Sequence, residues 1–520
     1  MLALIIILSI LAALELIFSI RQKSEHRRLK TEIDKLKNKS GNKAEQEKTS
    51  GKETISNERI NQKEDLEHEK LVINTASAPT NIISPPLPQT IEFTDEMKAA
   101  EEAVLHDERY QIVWIYGAAG TGKTTFLNII KRKEKRKFVV LAPTGAAAEL
   151  IDGMTIHRFF HIDVQNIYRG RDYGFLETKK YRPSLDLWDQ LDLIIIDEIS
   201  MVRADLLDEI DRRMQHAKDL KVPFGGTKML FLGDPYQLPP VLEDPDKADF
   251  YEQYKTSYFF SSKAYKELLA TGKIKHIEFT KIFRQNDKEF LSVLNHCRLC
   301  HFSDQDLAYL NSRVGHPSNN QLLQITTRKA QSENINQREY DRLSGPEYIF
   351  EAELKRIINN VKPPAEWPAA QTLKLKEGTH ILLLVNENGY VNGTTAVIKG
   401  INENSIIAYN DKKEYTITRH TWEDKIYVFF DNHIILETAH SYTQFPIAYG
   451  WAMTIHKAQG KTVNAISVSF GNGAFAPGQA YVALSRVKTI DGLFLTTKVR
   501  KNDFLECKDV TKYFEYIKNM

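Results

Sequence analysis

The chain reads as an α/β protein of several domains: two parallel-sheet blocks with a small antiparallel β-barrel inserted in the second. Three observations predict this. Short apolar runs recur at Ile112–Tyr116, Phe138–Leu141, Leu193–Ile196, Met229–Leu232 and Gln324–Thr327, then at Ala465–Phe470 and Leu493–Thr496, with helical patterns between most of them. Buried strands alternating with helices make parallel sheets covered by helices. Between about 346 and 440 the period shortens to two, at Ile381–Val385, Thr394–Ile398, Ile406–Tyr409 and Tyr427–Phe430, with Asn388-Gly389 and Asn392-Gly393 as turn pairs, which marks a small antiparallel barrel. Finally, 520 residues and 59.8 kDa exceed one ordinary core. The expected division is 1–20, an apolar anchor; 21–90, a linker; 91–280, the first block; 281–345 with 441–520, the second; and 346–440, the insert.

Taken in order, Leu2–Ile20 is apolar except for Ser9, Glu15 and Ser19. Such a run spans roughly 30 Å as a helix, the thickness of a bilayer core. Arg21, Lys23, Arg27, Arg28 and Lys30 follow it and no basic residue precedes it, which favours a single-pass transmembrane helix over a cleaved signal peptide and predicts a membrane protein with its globular domains cytoplasmic. Beyond, Leu29, Ile33 and Leu36 share one helical stripe, and mixed charges lead to Ser84-Pro85-Pro86-Leu87-Pro88. That composition buries too little to offset ordering entropy and reads as a flexible, solvated tether. A formal charge of +2 and a pI of about 8.1 neither argue for nor exclude a nucleic-acid partner. Three cysteines make no disulfide framework, and Cys297-x-x-Cys300-His301 is half a zinc site without a second half, so it reads as a helix surface.

The chemistry begins at Gly117-Ala118-Ala119-Gly120-Thr121-Gly122-Lys123-Thr124-Thr125, which fits the phosphate-loop pattern between a strand and a helix. Gly117, Gly120 and Gly122 let the backbone turn so that successive N–H groups, those of Thr121 and Thr125 among them, face phosphate oxygens at a helix N-terminus. Lys123 would reach the β and γ phosphates, and the Thr124 hydroxyl would hold Mg²⁺. The strand Leu193–Ile196 ends in Asp197-Glu198, a metal-binding carboxylate followed by one able to orient or deprotonate the attacking water. After Met229–Leu232, Gln237 stands among prolines where a γ-phosphate sensor is needed. Arg284 and Arg486 supply the cations that phosphoryl transfer requires.

With these companions the chain resembles superfamily one helicases, most closely the 5′-to-3′ branch with the PIF family and its RecD-like relatives. The motifs are Ala142-Pro143-Thr144-Gly145-Ala146-Ala147-Ala148, Thr155-Ile156-His157-Arg158-Phe159-Phe160, Asp197-Glu198-Ile199-Ser200-Met201-Val202, Gly233-Asp234-Pro235-Tyr236-Gln237-Leu238-Pro239-Pro240-Val241, Thr454-Ile455-His456-Lys457-Ala458-Gln459-Gly460-Lys461-Thr462 and Tyr481-Val482-Ala483-Leu484-Ser485-Arg486. The resemblance covers about 93 to 500. It implies two RecA-like domains with ATP between them: Lys123, Thr124, Asp197, Glu198 and Gln237 on one face, Arg284, Gly460 and Arg486 on the other. It implies that Thr144, Gly145, His157, Thr454 and His456 lie on or near a single-strand track, that the insert covers the DNA channel, and that Tyr168–Trp188 supplies a duplex-splitting wedge. The expected activity is an ATP- and Mg²⁺-dependent DNA helicase moving 5′ to 3′ on single-stranded and forked DNA. The alternatives are a DNA-stimulated translocase that remodels nucleoprotein without unwinding, and a membrane-anchored nucleotide switch. Two positions depart from the family pattern. Met97 stands where relatives carry the Gln that reads adenine, and Ala146 where a basic or bulky residue is usual; Met packs on a base but cannot make the paired hydrogen bonds.

Overall fold

The computed structural model describes residues 93–520 except 163–176, 179–181, 243–246, 285–286, 316–321, 360, 411–412 and 472. The first sheet takes six strands: β1 (Ile112–Tyr116), β2 (Phe138–Ala142), β3 (Met154–Thr155), β4 (Leu193–Ile196), β5 (Lys228–Gly233) and β6 (Ile274–Glu278). They run parallel in the order β3-β2-β4-β5-β1-β6. Every residue of β4 and β5 is buried, because helices cover both faces and leave no solvated side to alternate towards. The pleat then divides neighbours between two cores. Trp114, Ile194, Ile196 and Phe231 face one, while Val113, Ile115, Ile195 and Leu230 face the other. This strand order sets β4, β5 and β1 side by side, so the loops after their C-terminal ends converge at one edge, where open parallel sheets form their clefts.

A second parallel sheet starts with β7 (Leu323–Thr326), is left for the insert, and is completed by strands from the end of the chain. The insert holds β8 (Tyr348–Glu351), β9 (Glu353–Arg356), β10 (Thr372–Leu375), β11 (His380–Leu383), β12 (Thr395–Ile401), β13 (Ser405–Asn410), β14 (Lys413–Thr418), β15 (His420–Phe430), β16 (His433–Gln444) and β17 (Ile447–Tyr449). The antiparallel sheets β14-β13-β12-β11-β17 and β10-β8 share one core that includes Phe350, Ile381, Ile406 and Phe445. Then β18 (Ala452–Thr454), β19 (Ile466–Ser469) and β20 (Leu493–Leu495) complete the parallel order β18-β7-β19-β20.

The structure differs from the sequence reading in three places. The alternating run around Tyr427 does not join the insert's core; with β16 it forms a long hairpin paired to β9. The hairpin packs on the first sheet instead. Tyr427 enters that core, Val140 N–H donates to its hydroxyl at 2.9 Å, and Lys425 reaches Asp152 at 3.2 Å. Period two identifies a strand with one buried face but not what buries it. Likewise the last helix, Lys508–Lys518, lies against the first sheet and not the second: Val510 and Tyr513 share a core with Trp114 and Tyr265. Cys297 is buried in the second core and not on a helix surface, and no metal-binding cluster exists among the described residues.

The expected transmembrane helix, and with it the single-pass membrane location and cytoplasmic placement, is corrected. Among the described residues no helix is long and apolar enough to cross a membrane. The stretch 1–20 that raised the expectation, and the linker 21–90, lie outside the described residues.

Candidate active site

The three converging loops and the second sheet enclose a cavity of about 670 Å³. Its walls bring together Gly120, Gly122, Lys123, Thr124, Thr125, Asp197, Glu198 and Gln237 from the first sheet's loops with Arg284, Gly460 and Arg486. These positions are separated by hundreds of residues in the chain and now share one surface. Gly117 and Thr121 do not line it. Thr121 is buried and its hydroxyl donates to Ala118 O at 3.0 Å, closing the loop from within.

The phosphate loop depends on glycine where its backbone is left-handed and crowded. Gly120 has φ +85° and a Cβ there would lie 2.5 Å from Arg284 Cβ; Gly122, with φ +88°, leads into the helix Lys123–Lys133. Lys123 folds back so that its Nζ donates to Gly117 O at 2.7 Å and Ala118 O at 2.9 Å. Burial lowers its pKa. The ammonium thus rests on weak neutral acceptors, which phosphate oxygens would replace with charged ones.

Near it, Glu198 follows β4 in a left-handed conformation, φ +50° and ψ 44°, and its N–H donates to Asp197 Oδ1 at 2.9 Å. A non-glycine residue held there costs of order 1–3 kcal/mol, and such strain gathers at functional sites. Burial pushes both carboxyls above their usual range, and Asp197 is pushed further by the Glu198 charge. The buried Asp197 and half-buried Glu198 carboxylates, sharing the cavity with the exposed Thr124, form a hard-oxygen set suited to a divalent cation, which would reverse both shifts.

The facing arginines make the complementary case. Arg486 is fully buried and held by its own half of the molecule: Nε donates to Val482 O at 2.7 Å, Nη2 to Ser485 Oγ at 2.7 Å, and Nη1 to Ala458 O and Lys461 O at 3.3 Å. Burial and then the Arg284 charge lower its pKa to about 10. Arg284 is lowered as well, chiefly by burial. Contrary to expectation, Arg284 lies not on the second sheet's face but against the phosphate loop, where Phe283 N–H donates to Gly120 O at 2.9 Å. It and Arg486 repel across the cavity and, with Lys123, call for a polyanion between them.

The apolar part of the lining is Met97, Ala147, Leu150, Ile151 and Phe283. A Cβ on Gly122 would sit 2.8 Å from Met97 Cε and 3.6 Å from the Phe283 ring. Met97 and Phe283 thus form an apolar patch directly beside the phosphate loop.

Four residues that close the cleft were not singled out from the sequence. Tyr481 accepts from the loop's Ala119 N–H at 2.9 Å. Gln459 Nε2 donates to Glu198 Oε2 at 3.2 Å and to Gln237 Oε1 at 3.4 Å. Arg298 Nε donates to Asp234 Oδ1 and Oδ2 at 3.1 and 3.2 Å, with Asp234 wholly buried. Tyr481, Gln459 and Asp234 stood inside quoted motifs, a signal that did not say which side chain crosses the cleft. Arg298, on the helix Lys288–Leu299, had none.

The residues expected near a nucleic-acid track lie outside the cavity. Thr144 caps the helix Gly145–Leu150 by accepting from Ala147 N–H at 3.3 Å, and Thr454 caps Ile455–Ala458 by accepting from Lys457 N–H at 3.3 Å. His157 and His456 sit at matching second positions of the short helices Ile156–Phe159 and Ile455–Ala458, half-buried, with pKa lowered chiefly by burial. Most of the Tyr168–Trp188 wedge stretch lies outside the described residues, and its Trp188 is core, against Phe159 and Phe160.

A PIF1-like helicase family model matches residues 92–308. The ATP-dependent DNA helicase PIF1 of Homo sapiens is 31% identical over 414 residues, which cover 77% of this chain and 60% of that protein. The chain therefore spans about three fifths of that relative's length. Pif1 of Campylobacter jejuni is 30% identical over 407 residues, 72% of this chain and 87% of that one. Among solved structures, Bacteroides sp Pif1 in complex with ADP-AlF4 matches with a TM-score of 0.72 at 31% identity, over 83% of this chain and 98% of that chain. The Bacteroides protein bound to single-stranded DNA matches with a TM-score of 0.59 at 32% identity, with the same coverage.

Proposed function

The chain belongs to the PIF1-like helicase family, and from that premise we propose that it is an ATP-dependent DNA helicase moving 5′ to 3′ on single strands and opening forked duplex. The observation that carries this reading is the two-sided cleft: Lys123, Glu198 and Arg284 stand around the phosphate loop, and Arg486 faces them from the second sheet's half. A site split between two sheets can couple each hydrolysis to a relative movement of the sheets.

In this reading Lys123 and the loop N–H groups hold the β and γ phosphates, while Thr124 and Asp197 would hold Mg²⁺. Bound there, Mg²⁺ would supply neutralisation of the charge on the phosphates. Glu198 takes a proton from the attacking water. Arg284 and Arg486 stabilise charge on the transferring group, and Gln237 senses the γ-phosphate. We assign Thr144, Gly145, His157, Thr454 and His456 to the strand track, supported by their sequence motifs and by their place at the ends of short helices outside the nucleotide cavity. The first domain comprises 91–280 with the helix Lys508–Lys518 added, the insert 346–449 with its hairpin, and the second domain 281–345 with the rest of 450–520.

The test is strand displacement on 5′-tailed and 3′-tailed duplexes. Unwinding of the 5′-tailed substrate alone is expected. Strand-stimulated ATPase without displacement would favour a translocase, and hydrolysis indifferent to DNA would overturn both motor readings.

A further inference from the structure

Gln459 ends the helix Ile455–Ala458, and its position is set by the turn into Gly460, whose φ is +76°. Its side chain crosses from the second sheet's half to two groups of the first, with Nε2 on Glu198 Oε2 at 3.2 Å and on Gln237 Oε1 at 3.4 Å. Gln237 Nε2 in turn faces Asp234 Oδ2 at 3.5 Å. Because both partners of Gln459 are acceptors, its nitrogen must be the end that meets them. Its oxygen, Oε1, is then buried with no hydrogen-bond partner. Leaving a buried acceptor unpaired costs about 1–3 kcal/mol, so such an atom in a working site has a missing partner.

We propose that this partner is the attacking water, held between Glu198 and Gln459 Oε1. The inference rests on the reading of the cleft as a nucleotide-hydrolysing site. The two ends of an amide lie about 2.2 Å apart, so a water bonded to Glu198 is within reach of Oε1. One water proton goes to the Glu198 carboxylate. The other is fixed on Oε1 and stays on the product phosphate, while the water oxygen bonds phosphorus and the bond to the β-phosphate oxygen breaks. Gln459 comes from the half of the molecule that moves against Glu198, so the water is fully held only when the cleft is shut. That ties hydrolysis to closure.

The test is Gln459→Leu, which keeps the size of the side chain and removes both hydrogen bonds, with Gln459→Ala read alongside in case the first variant folds poorly. Expected is a fall in kcat for ATP of about 10- to 100-fold, with KM and ADP affinity changed by less than about twofold. Affinity for ADP–aluminium fluoride, which mimics the transferring phosphoryl group with its in-line water, falls with kcat. The proposal is overturned if both folded variants keep kcat within about twofold, or if ADP and ADP–aluminium fluoride affinities fall equally. The underlying reading is tested separately. A parent protein without ATPase activity, or a Lys123→Ala variant that retains it, sinks that reading and this inference with it. Normal parent behaviour with an unaffected Gln459→Leu sinks the inference alone.

Discussion

At the scale of single residues, the cavity lining combines charged groups around the phosphate loop with an apolar set that includes Met97 and Phe283. Lys123 is the cation closest to the phosphate loop, bonded to the loop's own carbonyls, and Lys123→Ala is expected to lower ATP turnover by at least about 100-fold. Glu198→Gln keeps shape and hydrogen bonding but cannot accept the water's proton. ATP binding should persist while turnover is lost, read by fluorescent-nucleotide titration beside a phosphate-release assay. Met97 is buried against Gly122 and offers a nucleobase dispersion without hydrogen-bond specificity. ATP and GTP should therefore differ by less than about tenfold in kcat/KM, and Met97→Gln should widen the gap in favour of ATP. A parent enzyme already strongly selective for ATP would show that backbone groups read the base.

At the scale of elements, two attachments to the first sheet come from far along the chain. One is the hairpin of β15 and β16, where Asp424 pairs with Arg158 and accepts from His440 Nδ1 at 2.8 Å. Asp424 and His440 are buried, so Asp424→Ala strands a cation and should lower stability by about 3 kcal/mol in urea unfolding. Arg158 is next to His157, so the same change should also weaken single-strand affinity if His157 lies on the track. The other is the last helix. Tyr513 and Tyr265 hydroxyls meet His276 Nε2 at 2.9 and 3.0 Å, and burial, then the Lys275 charge, lower the pKa of His276 from 6.5 to about 4. The unfolded chain then takes up the proton first as pH falls. This site's contribution is complete above about pH 6.5 and is lost on acidifying through about pH 4, up to about 3 kcal/mol. The urea midpoint should fall over that window, and His276→Gln should flatten the fall.

At the scale of the whole molecule, the two walls of the cleft repel on one side and share hydrogen bonds on the other. Arg284 and Arg486 oppose each other, whereas Tyr481 and Gln459 tie the second sheet to the phosphate loop and to Glu198. A bound triphosphate removes the repulsion and stabilises the closed form, by about 2.7 kcal/mol at a hundredfold excess over Kd. Thermal unfolding with and without ATP and Mg²⁺ should show that gain, reduced in Arg486→Ala. The parallel strands, the phosphate loop, Asp197-Glu198 and the arginine motifs were legible in the sequence, because each is a local pattern: an apolar run, a glycine spacing, a carboxylate at a strand's end. Whether an apolar face finds one sheet or the other is not local, which is why the hairpin at Tyr427 and the helix at Tyr513 were assigned to the wrong neighbours.

The sequence by itself determined that a triphosphate site exists and which residue types compose its phosphate end, since the loop's conformation follows from glycines within a few residues of Lys123. Only the tertiary structure decided what crosses the cleft. Tyr481 and Arg298 bond partners far away in the chain, Gln459 turns its nitrogen to Glu198 and leaves its oxygen unpaired, and Met97 closes an apolar seat. Such contacts depend on how two sheets face each other, and that is set by the packing of both cores together and not by any one stretch of chain.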